Sequence, residues 1–156
     1  SIILSLWIRL LIQFIIFVLI WIFLWKTGEI RPNLYYIPLF PIIVLILTIL
    51  VLGIGMICSS ISAKYRDLNL LITFCIQLWM YLTPIFYAAS QVPEQYARLY
   101  WLNPLVSLME AVRFIFLGTG NFDLFKILYS LLFSFLACFI GFIIFSRTEK
   151  NFLDTV

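Results

Sequence analysis

Residues 83–118, TPIFYAASQVPEQYARLYWLNPLVSLMEAVRFIFLG, decide the fold, because a hydrophobic span ends there and short helices follow it instead of an ordinary loop. Pro93 with an acid behind it predicts a helix over about 93–102, since proline suits the first helical position and negative charge suits that end. Asn103 and Pro104 predict a second helix over about 104–117, with Asn103 as its N-cap and Gly118 as its left-handed C-terminal residue.

The second of these helices is too apolar to lie in water and too short to cross a membrane. About 14 residues give roughly 21 Å of helix, against the roughly 30 Å of hydrocarbon that a spanning helix crosses. Such a helix can enter the bilayer and return if its irregular ends are buried in protein or face a water-filled cavity. The sequence therefore predicts a re-entrant helix pair, an element that usually belongs to a transport pathway.

The composition excludes a soluble domain. Of the 156 residues, 65% are hydrophobic and 11% are charged, whereas a soluble domain is nearer 45–50% apolar. No Ser/Gly/Pro-rich linker or charge run divides the chain, so we expect a single all-α membrane domain over residues 1–156. The net charge of +3 is small and scattered, and it indicates no nucleic-acid surface. Since the chain starts at Ser1, already close to a hydrophobic run, we expect it to be the C-terminal part of a longer protein.

Hydrophobic runs predict four transmembrane helices at about 2–25, 39–62, 68–88 and 126–146, each long enough to span with some tilt. Four spans place both chain ends on the same side. The corner after the second span, with Lys64, Arg66 and Asp67, lies on that side, as does the polar tail from Arg147. The density of basic residues there favours the cytoplasm, although a raw count of positive charges leaves the orientation undecided.

Two kinds of stripe mark the predicted spans. Small residues at intervals of about four, which let helices approach closely in lipid, occur in the second span (Gly55, Ser59, Ala63, with Gly53, Ser60 and Ser62 nearby) and in the fourth (Ser130, Ser134, Cys138, Gly141). Polar residues share one face of the third span: Asn69, Thr73, Gln77, Tyr81 and Pro84. A polar stripe in a membrane helix turns toward protein or water and away from lipid.

The residues present argue against an enzyme. The chain has no histidine, the commonest general base and metal ligand, and its three cysteines have no paired spacing. We therefore predict no catalytic residues, metal site or cofactor. Glu110 has Arg113 three residues later, a spacing that favours an ion pair within the short helix. A carboxylate paired in this way is more often structural than catalytic.

Aromatic residues surround the outer end of the third span and the first short helix. They are Trp79, Tyr81, Phe86, Tyr87, Tyr96, Tyr100 and Trp101. One interpretation is an ordinary interfacial belt. The other is a sugar path, because pyranose rings stack on aromatic rings while phenol and indole groups bond to hydroxyls. Periodicity alone does not decide between them.

The order of these fragments resembles a known family. The fragments are KYRD at 64–67, LTPIFY at 82–87, QVPE at 91–94, LNPL at 102–105, EAVR at 110–113 and LG at 117–118. Their succession over roughly 55 residues is similar to the C-terminal part of ABC-2 type permeases. The branch it resembles most exports polysaccharides or polyol phosphates, such as O-antigen, capsule or teichoic acid.

The resemblance implies a six-span permease in the inner or plasma membrane that forms a homodimer and works with a separate ABC ATPase subunit. Its substrate would be a polymer, often on an isoprenoid lipid, moved outward between two permease copies. The family's first two spans would precede Ser1. Trp79, Tyr81, Phe86 and Tyr87 would line the substrate path or an outer belt. Pro93, Asn103, Pro104, Glu110, Arg113 and Gly118 would hold the re-entrant helices.

Two alternatives remain beside polysaccharide export. One is an ABC-2 permease for a drug or lipid, which sparse aromatic residues on the lumen face would favour. The other is a structural membrane subunit without transport, which would not respond to loss of an ATPase. A membrane glycosyltransferase would need acids on cytoplasmic loops, and the sequence does not supply them.

Overall fold

The computed structural model describes residues 1–82, 93–119 and 122–154, and the regular elements within these ranges are helices. They run in the order α1 (Ile2–Thr27), a 3₁₀ helix (Leu34–Leu39), α2 (Phe40–Lys64), α3 (Leu68–Leu82), α4 (Glu94–Trp101), α5 (Pro104–Leu117) and α6 (Leu124–Asp154). The predicted all-α class is therefore confirmed.

Three of the described helical stretches are long and apolar enough to cross a membrane: α1, the 3₁₀ helix together with α2, and α6. The described part of α3 is apolar but has 15 residues, and the predicted span over 68–88 continues from there into residues outside the described ranges. These lengths and compositions define a multi-pass α-helical membrane protein.

The helix bounds differ from the sequence prediction mainly at the C-terminus. We expected the last span to end near residue 146 and a polar tail to follow. Instead α6 has 31 residues and stays helical to Asp154, a length of about 46 Å that exceeds the roughly 30 Å hydrocarbon layer. The charged residues after Phe145 thus continue the helix beyond the apolar segment.

The main helix pair consists of α2 and α6, which run parallel and touch backbone to backbone. A Cβ added to Gly53 would lie 2.5 Å from the backbone nitrogen of Cys138, and one added to Gly141 would lie 2.5 Å from the carbonyl oxygen of Gly53. Only glycine allows this approach, and in lipid such close packing supplies the attraction between helices. The small-residue stripe predicted on α6 is confirmed as a packing surface, since Ser130, Ser134 and Gly141 are buried.

The small-residue stripe predicted on α2 is buried only in part. Gly55, Ser59 and Ala63 are exposed, while Gly53 and Ser60 are buried. Spacing in the sequence shows which residues share a face. Since α2 has two faces with small residues, the spacing does not show which of them packs against α6. The face of Gly53 meets α6, because Gly141 there offers a matching gap.

The short helix α5 is the most enclosed element of the described chain. Its residues Leu108, Ala111 and Ile115 form a buried cluster with Ile43 and Ile46 of α2. Ile127 and Leu131, on the first turns of α6, pack against the same cluster. Thus α5 lies beside the first halves of both long helices, at the end of the molecule opposite to the corner that holds Lys64, Arg66 and Asp67.

Candidate functional site

The N-terminal end of α5 is built as its sequence predicts. The Asn103 side chain accepts a hydrogen bond of 3.1 Å from the backbone N–H of Leu105, and Pro104 is the first helical residue. Proline there leaves one fewer N–H to satisfy. The helix α4 begins at Glu94, one residue later than predicted, so Pro93 occupies the N-cap position and not the first helical position.

Buried hydroxyls join this end of α5 to α6. Ser107 and Ser130 are hydrogen-bonded to each other through their hydroxyl groups. The Ser130 hydroxyl also lies 2.8 Å from the carbonyl oxygen of Pro104 and 3.1 Å from that of Lys126. Since Ser107 is 5% exposed and Ser130 is fully buried, water does not compete for these groups. The cluster therefore holds the first turn of α5 against α6.

A second set of contacts surrounds the same end. Tyr129 donates its hydroxyl proton to the carbonyl oxygen of Leu102 at 2.9 Å. The ammonium group of Lys126 lies 3.5 Å from the centre of the Trp101 ring, a cation–π contact. The turn between α4 and α5 is thus attached to the start of α6 on both sides.

The C-terminal end of α5 is satisfied by residues far away in sequence. The indole N–H of Trp21 donates to the carbonyl oxygen of Phe116 at 2.7 Å. Asn33 donates twice, from its side chain to Phe114 at 2.8 Å and from its backbone N–H to Ile115 at 2.9 Å. The last four carbonyls of a helix lack partners within it. These donors satisfy carbonyls of α5 that would be costly to leave unbonded at membrane depth.

Gly118 closes α5 in the left-handed conformation, with φ 73°, as its position predicts. A Cβ at this residue would overlap the carbonyl oxygen of Arg31. The link between α1 and the 3₁₀ helix therefore passes directly over the end of α5, and glycine is required both by the backbone angle and by this contact.

An aromatic cluster fixes the same region. The Phe116 ring meets Phe17, Trp21 and Phe40 edge to face, with centroids 5.6, 5.6 and 4.9 Å away. Each such pair adds about 0.5–1.5 kcal/mol beyond its buried area. Through Phe116, α5 is held against both α1 and the start of α2.

Two of the predicted aromatic path residues, Trp79 and Tyr81, lie on different sides of α3. Tyr81 is 62% exposed and continues the stripe of Asn69, Thr73 and Gln77, all exposed. Trp79 lies about 200° around the helix from Tyr81 at 100° per residue and lines an apolar groove toward α2 and α5. Phe86 and Tyr87 lie outside the described residues, so their predicted place in the substrate path or outer belt stays a prediction.

The charged residues singled out by the sequence occupy two separate places. Glu110 is 2% exposed, on the buried side of α5, and Arg113 is half-buried one turn later. Their pairing stays a prediction. Lys64, Arg66 and Asp67 are exposed between α2 and α3. Among the described residues, no three of His, Cys, Asp and Glu come together in a way that could hold a metal ion.

Sequence reasoning missed four residues that hold α5: Trp21, Asn33, Ser107 and Ser130. Trp21 reads as an interfacial tryptophan, Asn33 as part of a polar link, and Ser130 as a small packing residue. The last carbonyls of a short buried helix lack partners within it, so donors from elsewhere in the chain could be expected for α5. The sequence does not show which distant residues supply them.

A bundle of long apolar helices around a short, buried and capped helix defines a multi-pass membrane subunit of the kind found in transporters. Residues 1–117 match the family model of the ABC-2 type transporter, and the chain belongs to that family.

Relatives extend the match. The chain is 32% identical over 133 residues to the O-antigen export system permease protein RfbA of Klebsiella pneumoniae, covering 85% of this chain and 50% of that protein. It is 34% identical over 84 residues to RfbA of Myxococcus xanthus, covering 53% and 32%. Inner membrane transport permease YadH of Escherichia coli K12 is 27% identical over 99 residues, covering 59% and 39%. The chain spans about half the length of the Klebsiella relative.

Proposed function

We propose that this chain is part of the permease subunit of an ATP-binding-cassette exporter that moves a polysaccharide or polyol phosphate, on an isoprenoid lipid, outward across the cell membrane. The observation that carries the proposal is the exposed polar stripe on α3, formed by Asn69, Thr73, Gln77 and Tyr81. Lipid does not tolerate such a stripe, so it faces protein or a polar path. Amide and hydroxyl groups are suitable partners for sugar hydroxyls, and a phenol ring can stack on them.

The position of α5 supports an outer re-entrant pair formed with α4. Phe116, in the last turn of α5, touches Phe40 at the start of α2, and Leu105 near the other end of α5 lines a groove with Leu50. Ten residues of α2 separate these levels, about 15 Å along the helix. A capped helix at this depth would form a fixed wall near the exit of the path.

The partners follow from the same proposal. In keeping with membership of the ABC-2 type transporter family, we expect ATP hydrolysis to take place on a separate ATPase subunit. The corner of Lys64, Arg66 and Asp67 would lie on the cytoplasmic side. In a homodimer, the exposed stripe of α3 and that of a second copy would enclose the polymer between them.

The test uses cells that carry the permease containing this chain, its ATPase partner and the polymer. Gln77→Leu and Tyr81→Ala remove polar groups from the stripe, and we expect surface polymer to fall several-fold at unchanged permease level. Trp79→Phe serves as the matched control, because it keeps an aromatic ring in the apolar groove on the other side of α3. Blotting of surface polymer and of the tagged permease measures both quantities.

Three results would each overturn part of the proposal. Unchanged export and polymer length in the Gln77 and Tyr81 variants would remove the stripe from the path. Loss of export in the Trp79 control alone would indicate that the polymer passes along the apolar groove and not along the polar stripe. Normal polymer export after deletion of the ATPase gene would leave the chain a structural subunit and end the transport proposal.

A further inference from the structure

An apolar groove runs along the side of α3 that faces away from the polar stripe. Two adjoining parts, each about 350 Å³, share Ile54, Cys58, Ile76 and Trp79 as walls. One part reaches Leu68 at the start of α3, and the other reaches Met109 on α5. The groove is therefore continuous from the charged corner to the buried helix.

The lining of the groove is suited to a hydrocarbon chain. It consists mainly of aliphatic, aromatic and sulfur-containing side chains, and a hydrocarbon chain makes favourable dispersion contacts with such side chains. An empty groove would forfeit the dispersion contacts of its walls. Met80 and Met109 border its inner part, and methionine adapts readily to an irregular apolar occupant.

The corner end of the groove carries positive charge. Ile61 and Leu68 line this end of the groove, and Lys64, the last residue of α2, lies between them in the sequence. Its ammonium group lies 5.3 Å from the centre of the Tyr65 ring, and the residue also borders a depression against Arg147 of α6. Arg66 follows, exposed, with the Asp67 carboxylate beside it. Two cations and one anion leave a net positive charge at this corner.

We propose that this groove binds an anionic glycerophospholipid, with one acyl chain along α2 and α3 and the phosphate at Lys64 and Arg66. The charge at the groove's end distinguishes this occupant from a zwitterionic lipid, and one net positive charge near the surface predicts an enrichment of about fivefold. Trp79 lies 11 residues after Leu68, about 16 Å along α3, so it contacts the middle of the bound chain.

Tryptophan quenching by brominated lipid tests the proposal. Four of the five tryptophans (Trp7, Trp21, Trp25 and Trp101) are replaced by phenylalanine, and the permease is reconstituted in phosphatidylcholine vesicles. A small fraction of the lipid carries mid-chain bromine, on phosphatidylglycerol in one sample and on phosphatidylcholine in the other. We expect Trp79 to be quenched about fivefold more by the anionic lipid, and the double variant K64Q/R66Q to lose that preference.

A matched control keeps Trp7 as the single tryptophan, since Trp7 is 62% exposed on α1 and should show no preference between the lipids. Equal quenching of Trp79 by both lipids, a preference that survives K64Q/R66Q, or no quenching at all would each overturn the proposal. Relief of quenching by an isoprenoid phosphate but not by unlabelled phosphatidylglycerol would also overturn it, because the occupant would then be an isoprenoid lipid. If the single-tryptophan protein does not fold, native mass spectrometry of the unaltered permease and of K64Q/R66Q compares bound phosphatidylglycerol directly.

Discussion

The glycine that ends α5 offers the sharpest test of how this helix is held. Gly118 and Gly28 both close a helix in the left-handed conformation, with φ 73° and 78°. A Cβ at Gly28 would meet nothing within 4 Å, whereas one at Gly118 would overlap the carbonyl oxygen of Arg31. Gly28→Ala therefore measures the backbone cost alone, and Gly118→Ala measures the same cost plus the contact with the link above α5.

The expected magnitudes follow from these two terms. Placing an L-residue in the left-handed region costs about 1–2 kcal/mol, which is the whole effect expected for Gly28→Ala. Overpacking against a neighbour that cannot rotate away costs about 1–3 kcal/mol more. Gly118→Ala should therefore destabilise the protein by about 2–5 kcal/mol.

Equilibrium unfolding in mixed dodecylmaltoside and SDS micelles measures the difference in unfolding free energy between the two variants. Hydrogen exchange at the Asn33 amide, which donates to Ile115 at 2.9 Å, reports whether the loss is local to this contact. We expect faster exchange there in Gly118→Ala and little change in Gly28→Ala. Equal destabilisation by the two substitutions, with unchanged exchange at Asn33, would refute the inference that the link is packed on the end of α5.

Three further predictions concern contacts within the helix bundle. Gly53→Ala should destabilise the protein by about 1–3 kcal/mol, because the added Cβ would force α2 and α6 apart. Gly55→Ala should be neutral or stabilise the helix by up to about 1 kcal/mol, because a Cβ there meets nothing within 4 Å. The same micelle assay compares the two variants. Trp21→Phe keeps the aromatic packing but removes the indole donor, so we expect the unfolding free energy to fall by about 0.6 kcal/mol. The decrease rises toward about 1–3 kcal/mol if the freed carbonyl of Phe116 finds no other donor. For Glu110 and Arg113, each single charge reversal should lower stability and the double reversal should restore part of it, with a coupling of about 0.5–3 kcal/mol; absence of any restoration would show that the two residues do not pair.

The features that sequence reasoning predicted correctly are those set by local chemistry. Asn103 caps α5 and Gly118 closes it, because capping depends on residue type and on the few adjacent backbone groups. The fourth-span stripe of Ser130, Ser134 and Gly141 is also correct, since that helix has a single small-residue face.

The features that it missed depend on contacts between distant residues. Trp21 and Asn33 lie 95 and 81 residues before the carbonyls that they bond, and no short spacing reveals such partners. The choice between Gly53 and Gly55 as the packing residue depended on the glycine opposite on α6. Likewise, Trp79 and Tyr81 are close in the sequence, but a separation of two residues places them on opposite sides of a helix.

The capping of α5 also bears on the order in which the chain is made. The donors to its C-terminal end, Trp21 and Asn33, are synthesised long before α5 and can be in place when it leaves the ribosome. Its first turn depends on Ser130, which comes 26 residues after Pro104. Because Ser130 lies on α6, its hydrogen bond to the first turn of α5 can form only after α6 has been synthesised, whereas the Asn103 cap can form as soon as α5 itself is made.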